Sequence, residues 1–273
     1  MSSLCQSFVQ IGHRTSRDLR HAWAADLSFG EETITETNLL ALKRRHPGNV
    51  VLRSFTKHKE AINGADWEWW FLDRVKQTGF PMRVQAKRLI KNSHIFRGLL
   101  DRKNATTPGF QIDALIANAN RDNMLPIHCF YLDENVMARS VLGYRRRLGL
   151  QSFEHEFGCW VGLSTRIKQE QKKSLYGLQS YIFPWHLLTC SNGSKARQAL
   201  SLPRRVYETL RRPPGSVLEN RDADVEIPQV VEKLPMYVLE LLDLGLSARS
   251  SYQLLERDIR GIALFSEPQG ATT

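Results

Sequence analysis

The pattern of hydrophobic and polar positions divides the first third of the chain into helical and extended segments. Residues 16–46 have apolar positions at helical spacing, with a second helix start near Phe29-Gly30 and a stop at His46-Pro47-Gly48. Three short segments follow, rich in β-branched or aromatic residues and separated by turn-forming glycine or proline. They are Val50–Phe55, Asp66–Phe71 and Met82–Lys87. The pattern therefore predicts a helical region followed by a three-stranded meander.

A second helix and further strands are predicted next. Apolar residues recur at helical spacing from Phe110 to Asn120, and the run Leu125–Tyr131 is typical of a buried strand. Cys159–Leu163 is predicted as one more strand. The order of the first six elements is then α-β-β-β-α-β, which indicates an α/β fold.

The last third of the chain is less regular. Residues 203–228 are rich in Pro, Arg and Asp and contain few core-forming positions, whereas helical periodicity resumes over residues 229–243. We therefore predict one domain over residues 1–200, a loop or flexible excursion over 201–228, and a C-terminal helical extension over 229–273.

Composition and charge narrow the classes of function. With 273 residues, 42% hydrophobic and 24% charged, the chain has the composition of a soluble globular protein. Lys and Arg number 38 against 28 Asp and Glu, and this excess of +10 suits a polyanionic partner. The chain contains neither the Walker A motif nor the GxGxxG fingerprint, so it lacks the usual sequence signals of an NTPase or a dinucleotide enzyme.

The cysteines and the N-terminal segment favour a cytoplasmic protein without a membrane partner. Cys5, Cys129, Cys159 and Cys190 are far apart in sequence, which predicts neither a zinc ribbon nor a disulfide framework. The first residues lack the charged and apolar regions of a secretory signal, and no apolar run is long enough to cross a membrane.

Candidate chemistry appears in the third predicted strand. Because side chains two residues apart share one face of a strand, Gln85 and Lys87 point to one side, and Val84 and Ala86 to the other. Asp66 begins the preceding predicted strand. Hairpin pairing would bring its carboxylate close to Gln85 and Lys87.

A further carboxylate is expected from the helical region before the strands. At about 100° per residue, Leu39, Leu40 and Leu42 define an inward face, with Glu32 near its centre and Glu36 one turn away. A carboxylate on the apolar face of a helix requires a partner. Either glutamate is therefore a candidate metal ligand.

Other side chains of the second predicted strand have more ordinary interpretations. Glu68 shares the face of Asp66 by alternation, which makes it either a reserve ligand or one half of a surface ion pair. Trp67, Trp69 and Trp70 are expected in the core rather than on a base-stacking surface.

These residues resemble the motif of a known superfamily. Glu32 or Glu36, Asp66 and the Gln85-x-Lys87 pair are similar to the helical acid, the Asp and the (D/E)xK elements of the PD-(D/E)xK, restriction-endonuclease-like nucleases. The glutamine in place of the usual acid resembles the QxK variant of Mrr-like restriction enzymes. The resemblance covers roughly residues 25–135 and leaves the C-terminal half unexplained.

The resemblance implies a restriction-endonuclease-like fold, with an α-β-β-β-α-β core, a central mixed sheet and flanking helices. It also implies a Mg²⁺- or Mn²⁺-dependent nuclease that cleaves phosphodiester bonds, in DNA, in bacterial or phage-related defence. The implied metal ligands are Glu32, Asp66, Gln85 and the Ala86 carbonyl, and Lys87 would position or deprotonate the attacking water.

Two alternatives stay open beside the nuclease. The first is a degenerate member of the same fold that binds nucleic acid without cutting it, and the second is an interaction protein without a nucleic-acid ligand. Arg145, Arg146 and Arg147 form the basic cluster expected to contact phosphates, whereas most other basic pairs suit solvated helix faces. A homodimer is also left open.

Overall fold

A seven-stranded mixed sheet with helices on both faces forms the centre of the protein. The computed structural model describes residues 3–55, 67–103, 109–133, 158–191, 194–212, 227–243 and 259–268. This arrangement confirms the predicted α/β class with a central mixed sheet.

The described strands include long buried ones as well as short ones. They are β1 (Val50–Ser54), β2 (Trp67–Asp73), β3 (Thr78–Arg88), β4 (Leu125–Tyr131), β5 (Cys159–Leu163), β6 (Ile182–Pro184) and β7 (Gly261–Ser266). The described α-helices are α1 (Leu4–Ala24), α2 (Glu31–Arg45), α3 (Gln111–Arg121), α4 (Ser164–Glu170), α5 (Leu175–Leu178), α6 (Lys195–Gln198), α7 (Leu202–Arg211) and α8 (Met236–Leu242). A short 3₁₀ helix covers Trp185–Leu188.

The strand order in the sheet is β1-β7-β2-β3-β4-β5-β6. β2 and β3 form an antiparallel hairpin, and β3 runs parallel to β4. β7 lies between β1 and β2, antiparallel to the first and parallel to the second. The predicted three-stranded meander is therefore wrong, because a strand from the end of the chain separates β1 from β2.

Elements near the middle of the chain match their predictions closely. The predicted strands Leu125–Tyr131 and Cys159–Leu163 are confirmed as β4 and β5, and the helix predicted from Phe110 is α3. α1 begins at Leu4, earlier than expected, since Ser3 and Gln6 form a capping box at its start.

The C-terminal predictions need correction. Part of the loop predicted over 201–228 is α7, which buries Val206 and Leu210 against the sheet, while residues 213–226 lie outside the described part. The Arg content was misleading because Arg205 is buried, donating hydrogen bonds to main-chain carbonyls and pairing with Glu267. The helical extension predicted over 229–273 is also wrong, because α8 is short and β7 belongs to the sheet.

Two helical layers enclose the sheet. α1, α2, α7 and the 3₁₀ helix cover one face, where Trp67 and Trp69 are buried. α3 and α8 pack on the other face, where Trp70 contacts Tyr237 edge to face. The expectation that these tryptophans belong to the core is confirmed.

A disulfide joins Cys5 of α1 to Cys190, which follows the 3₁₀ helix, with their Cα atoms 4.9 Å apart. The expectation that no disulfide forms is wrong, because sequence spacing carries no information on cysteines 185 residues apart. Cys129 and Cys159 are buried free thiols. Within the described ranges, every helix is too short or too polar to cross a bilayer.

Candidate functional site

Gln85 and Lys87 lie side by side near the C-terminal end of β3, on the face that α3 covers. Each has only 3% of its surface exposed. In the β2–β3 ladder, Trp67 pairs with Val84, the residue before Gln85. β3 and β4 remain paired beyond Lys87, as far as Arg88 and Tyr131. A long cationic side chain is therefore held inside the protein rather than at a solvated strand edge.

A chain of buried polar contacts surrounds these two residues. His128 of β4 is in register with Gln85, and its Nε2 lies 3.0 Å from Gln85 Oε1. The other ring nitrogen, Nδ1, lies 2.8 Å from the hydroxyl of Ser164 at the start of α4. Gln111, the first residue of α3, places its Oε1 3.2 Å from Gln85 Nε2 and 3.4 Å from Lys87 Nζ.

In this chain of hydrogen bonds, the donor or acceptor role of each group fixes the role of the next. An ammonium only donates, so the atom of Gln111 that faces Lys87 is the amide oxygen. Gln85 must then present its amide N–H to Gln111 and its carbonyl oxygen to His128. His128 consequently carries its proton on Nε2, and Nδ1 accepts from the Ser164 hydroxyl.

The surroundings of His128 favour the neutral form of its imidazole. Complete burial lowers the pKa of His128 well below its ordinary value, and the charge of Lys87 lowers the pKa further. The His128 ring is therefore uncharged at neutral pH.

The helical acid differs from the one expected. The side chain of Glu32 is 49% exposed and pairs with Arg260, whose Nη1 lies 2.6 Å from Glu32 Oε2. Glu36 is also exposed. The expected inward position of both glutamates is wrong.

The face of α2 that packs inward is partly polar, which explains the error. Thr35 and Asn38 are buried, whereas Leu40, which the leucine pattern places on the inward face, is 46% exposed. The buried stripe is rotated by about one residue, so Glu31 approaches β3 in place of Glu32. Its Oε1 lies 3.4 Å from the main-chain nitrogen of Arg88.

Glu68 is a member of a buried ion pair. Its Oε1 lies 3.4 Å from Nη2 of Arg83, and its Oε2 accepts a hydrogen bond from the Tyr237 hydroxyl at 3.2 Å. The same Arg83 nitrogen lies 2.5 Å from Oδ2 of Asp122. Of its two predicted roles, the ion pair is the one observed, and it is buried rather than on the surface.

Several predicted site residues lie outside the described part of the chain. These are Asp66, which directly precedes Trp67 in sequence, and the cluster Arg145, Arg146 and Arg147. Ala86 is described, and its side chain lies in the core on the opposite face from Lys87. Within the described ranges, no three His, Cys, Asp or Glu side chains gather closely enough to bind a metal ion.

Sequence reasoning missed Gln111, His128 and Ser164. His128 gave the clearest signal, because it is a polar residue within the otherwise apolar run of β4. Period-two alternation places it on one face of that strand but does not identify the strand beside it. Gln111 and Ser164 begin helices, and nothing in their local sequence indicates contact with β3 or β4.

Comparison with known proteins places the chain in a family. No curated protein matches it. A family model matches residues 4–270, and its description is that of a family of unknown function, DUF6615. Because the match covers nearly the whole chain, the protein belongs to the DUF6615 family.

Proposed function

We propose that this protein hydrolyses phosphodiester bonds of nucleic acid, with DNA as the expected substrate, at the C-terminal end of β3. The observation that carries the proposal is the pair of buried side chains Gln85 and Lys87, held next to each other on one face of β3. They lie within elements in the order α-β-β-β-α-β, from α2 to β4. The net charge of +10 suits a polyanionic substrate.

Lys87 is the catalytic cation of the proposal. Its ammonium donates a hydrogen bond to Oε1 of Gln111, the first residue of α3, and this contact helps to hold the ammonium in place. An ammonium held in a buried site stabilises negative charge developing on a phosphate more strongly than one in water. Lys87 would also orient the attacking water.

A divalent cation is the second part of the proposal. Mg²⁺ or Mn²⁺ would supply Lewis-acid activation of the phosphate, and the oxygens of Asp66, Gln85 and the Ala86 carbonyl are of the kind that such cations prefer. Gln85 Oε1 lies in this group of oxygens and accepts a hydrogen bond from His128. Glu31 replaces Glu32 as the proposed helical ligand because it is the glutamate beside Arg88.

The test compares Lys87→Met with Lys76→Met. Lys76 is exposed in the turn at the other end of the β2–β3 hairpin, so its variant controls for loss of one positive charge. We expect Lys87→Met to cut at least about 100-fold more slowly than the parent, and Lys76→Met to cut at the parental rate. The substrates are linear, circular and single-stranded DNA and RNA, each with Mg²⁺, Mn²⁺ or EDTA.

The metal is tested separately with Asp66→Asn and Glu31→Gln. Both variants should lose cleavage while keeping nucleic-acid binding. Cleavage that survives EDTA, or an Asp66→Asn protein as active as the parent, would overturn the metal mechanism.

A nucleic-acid-binding protein that does not cut is the second candidate function. The observation that favours it is the engagement of Gln85 Oε1 by His128, together with the displacement of Glu32 toward Arg260. In the same assays this candidate predicts tight, salt-dependent binding without cleavage under any metal.

A further inference from the structure

A cavity of about 1110 Å³ opens beside the end of β3. Its walls come from the end of α1, the start of α2 and the segment 88–102, with Lys173 closing one side. Glu31 and Arg88 lie on its wall, so the cavity borders the proposed site without including Gln85 or Lys87.

The cavity has an excess of positive charge. Among the described residues, five cationic and three acidic side chains line it. Lys91 pairs with Asp26, and Lys173 pairs with Asp101 at 2.7 Å.

Three arginines remain after these pairs are formed. Arg88, Arg97 and Arg102 have no carboxylate partner within the described residues, and Arg97 and Arg102 are exposed. Guanidinium groups with free donors are the usual protein partners of phosphate oxygens.

Exposed apolar side chains form another part of the wall. Leu27 is 64% exposed, Ile90 38% and Ile95 47%, and all three line this cavity. Large exposed aliphatic residues that converge on one concavity are typical of a binding site rather than of a solvated surface.

Trp23 also lies on the wall of the cavity. This residue of α1 lines the cavity and is only 8% exposed, and its indole nitrogen is buried without an acceptor among the described residues. The nitrogen itself is closed off from the cavity, so Trp23 contributes to the wall as a large aromatic side chain.

We propose that this cavity binds a nucleoside phosphate, with the phosphate at Arg88, Arg97 and Arg102 and the nucleoside along Leu27, Ile90 and Ile95. The occupant is either a free nucleotide or the terminal nucleotide of a strand, since both present the same chemistry. The proposal goes beyond the proposed cleavage and does not rest on it, because the cavity can bind such a ligand whether or not the protein cuts.

The test is isothermal titration calorimetry of the full chain with four probes: inorganic phosphate, adenosine 5′-monophosphate, and a single-stranded octanucleotide in a 5′-phosphorylated and an unphosphorylated form. We expect the mononucleotide to bind at least tenfold more tightly than inorganic phosphate. Tighter binding of the 5′-phosphorylated octamer than of both the mononucleotide and the unphosphorylated octamer would identify a strand end as the occupant. Tighter binding of the mononucleotide would identify a free nucleotide.

Surface variants keep the test independent of folding. Arg97→Glu with Arg102→Glu changes two exposed side chains and should weaken mononucleotide binding at least tenfold. Arg44→Glu should leave it within twofold, since Arg44 is an exposed residue about 20 Å along α2 from Glu31.

The apolar wall has its own variant. Ile95→Ala should weaken mononucleotide binding without changing that of phosphate, because Ile95 belongs to the apolar part of the wall. A parent that binds none of the probes, or a double arginine variant that binds as well as the parent, would overturn the proposal. Neither result depends on cleavage, which is measured separately with Lys87→Met.

Discussion

Gln85 on β3 and His128 on β4 lie opposite each other in the sheet, and Gln85 Oε1 accepts a hydrogen bond of 3.0 Å from His128 Nε2. The other end of the Gln85 amide donates to Gln111, which also accepts from Lys87. Rotation of the Gln85 amide would place two donors against each other at His128 and two acceptor oxygens against each other at Gln111. The position of Lys87 is therefore coupled to a hydrogen-bond chain that extends to Ser164.

The first prediction concerns Gln111. Gln111→Leu removes the acceptor shared by Gln85 and Lys87, and it should lower the free energy of unfolding by about 1–3 kcal/mol. Gln111→Glu keeps an acceptor oxygen beside the ammonium and should cost less. Urea unfolding of both variants measures the difference, and equal destabilisation would contradict a role for Gln111 as the acceptor of the Lys87 ammonium.

The second prediction is a pH dependence of stability. Burial lowers the pKa of His128, and burial followed by the charge of Arg45 lowers the pKa of His46. Below about pH 6.5 the unfolded chain binds protons at these imidazoles that the native protein does not bind. Their contribution to stability is thus present above that pH and is lost as the pH falls toward their native pKa values, at up to about 1.4 kcal/mol per pH unit for each imidazole.

His128→Asn isolates the larger of these two effects. The variant should show a shallower loss of stability between pH 6.5 and pH 5 than the parent, measured by urea unfolding at each pH. Parallel stability profiles for the two proteins would exclude His128 as a contributor.

The third prediction concerns the disulfide between Cys5 and Cys190, which closes a loop with a sequence separation of 185 residues. For a loop of this length, the chain-entropy model gives a stabilisation of about 5 kcal/mol, near the upper end of measured values. Unfolding of the parent with and without a reductant should show the loss. Cys190→Ser should be less stable than the oxidised parent and insensitive to reductant, and a parent equally stable in both conditions would contradict the prediction.

The fourth prediction concerns the contact between α1 and the start of β5. A Cβ atom on Gly158 would lie 1.7 Å from the main-chain oxygen of Gly12, so Gly158→Ala must displace backbone. We expect a loss of more than about 3 kcal/mol in the free energy of unfolding. Gly48→Ala is the control because a Cβ atom on Gly48 would have no other atom within 4 Å, and the free energy of unfolding should change by less than about 1 kcal/mol.

Local pattern predicted the elements whose sequence signals are local. β4 and β5 are apolar runs with defined ends, and their predicted bounds agree with the structure. The partners of β1 and β2 could not be predicted, since strand pairing depends on burial across the whole chain rather than on proximity in sequence. The pattern did not predict α7, because arginine side chains are usually solvated. Here the guanidinium group of Arg205 is buried, and carbonyl oxygens and Glu267 accept its hydrogen bonds.

The candidate site was partly predictable, since some of its geometry also follows from local sequence pattern. Alternation along one strand places Gln85 and Lys87 on the same face, and the structure agrees. The helical acid depended on the phase of α2, and buried Thr35 and Asn38 shift that phase from the one that the leucines indicate. Contacts to Gln111 and Ser164 arise only when separate elements pack together.

The position of β7 has a consequence for folding during synthesis. Residues 261–266 are synthesised after the strands β1 to β6, yet they complete the ladder between β1 and β2. Until they emerge, the facing edges of these two strands lack their final partner, and unpaired strand edges favour association with other chains. The nascent protein therefore carries an aggregation-prone gap from the synthesis of β2 until that of β7, and a stop codon placed just before Gly261 would make that gap permanent.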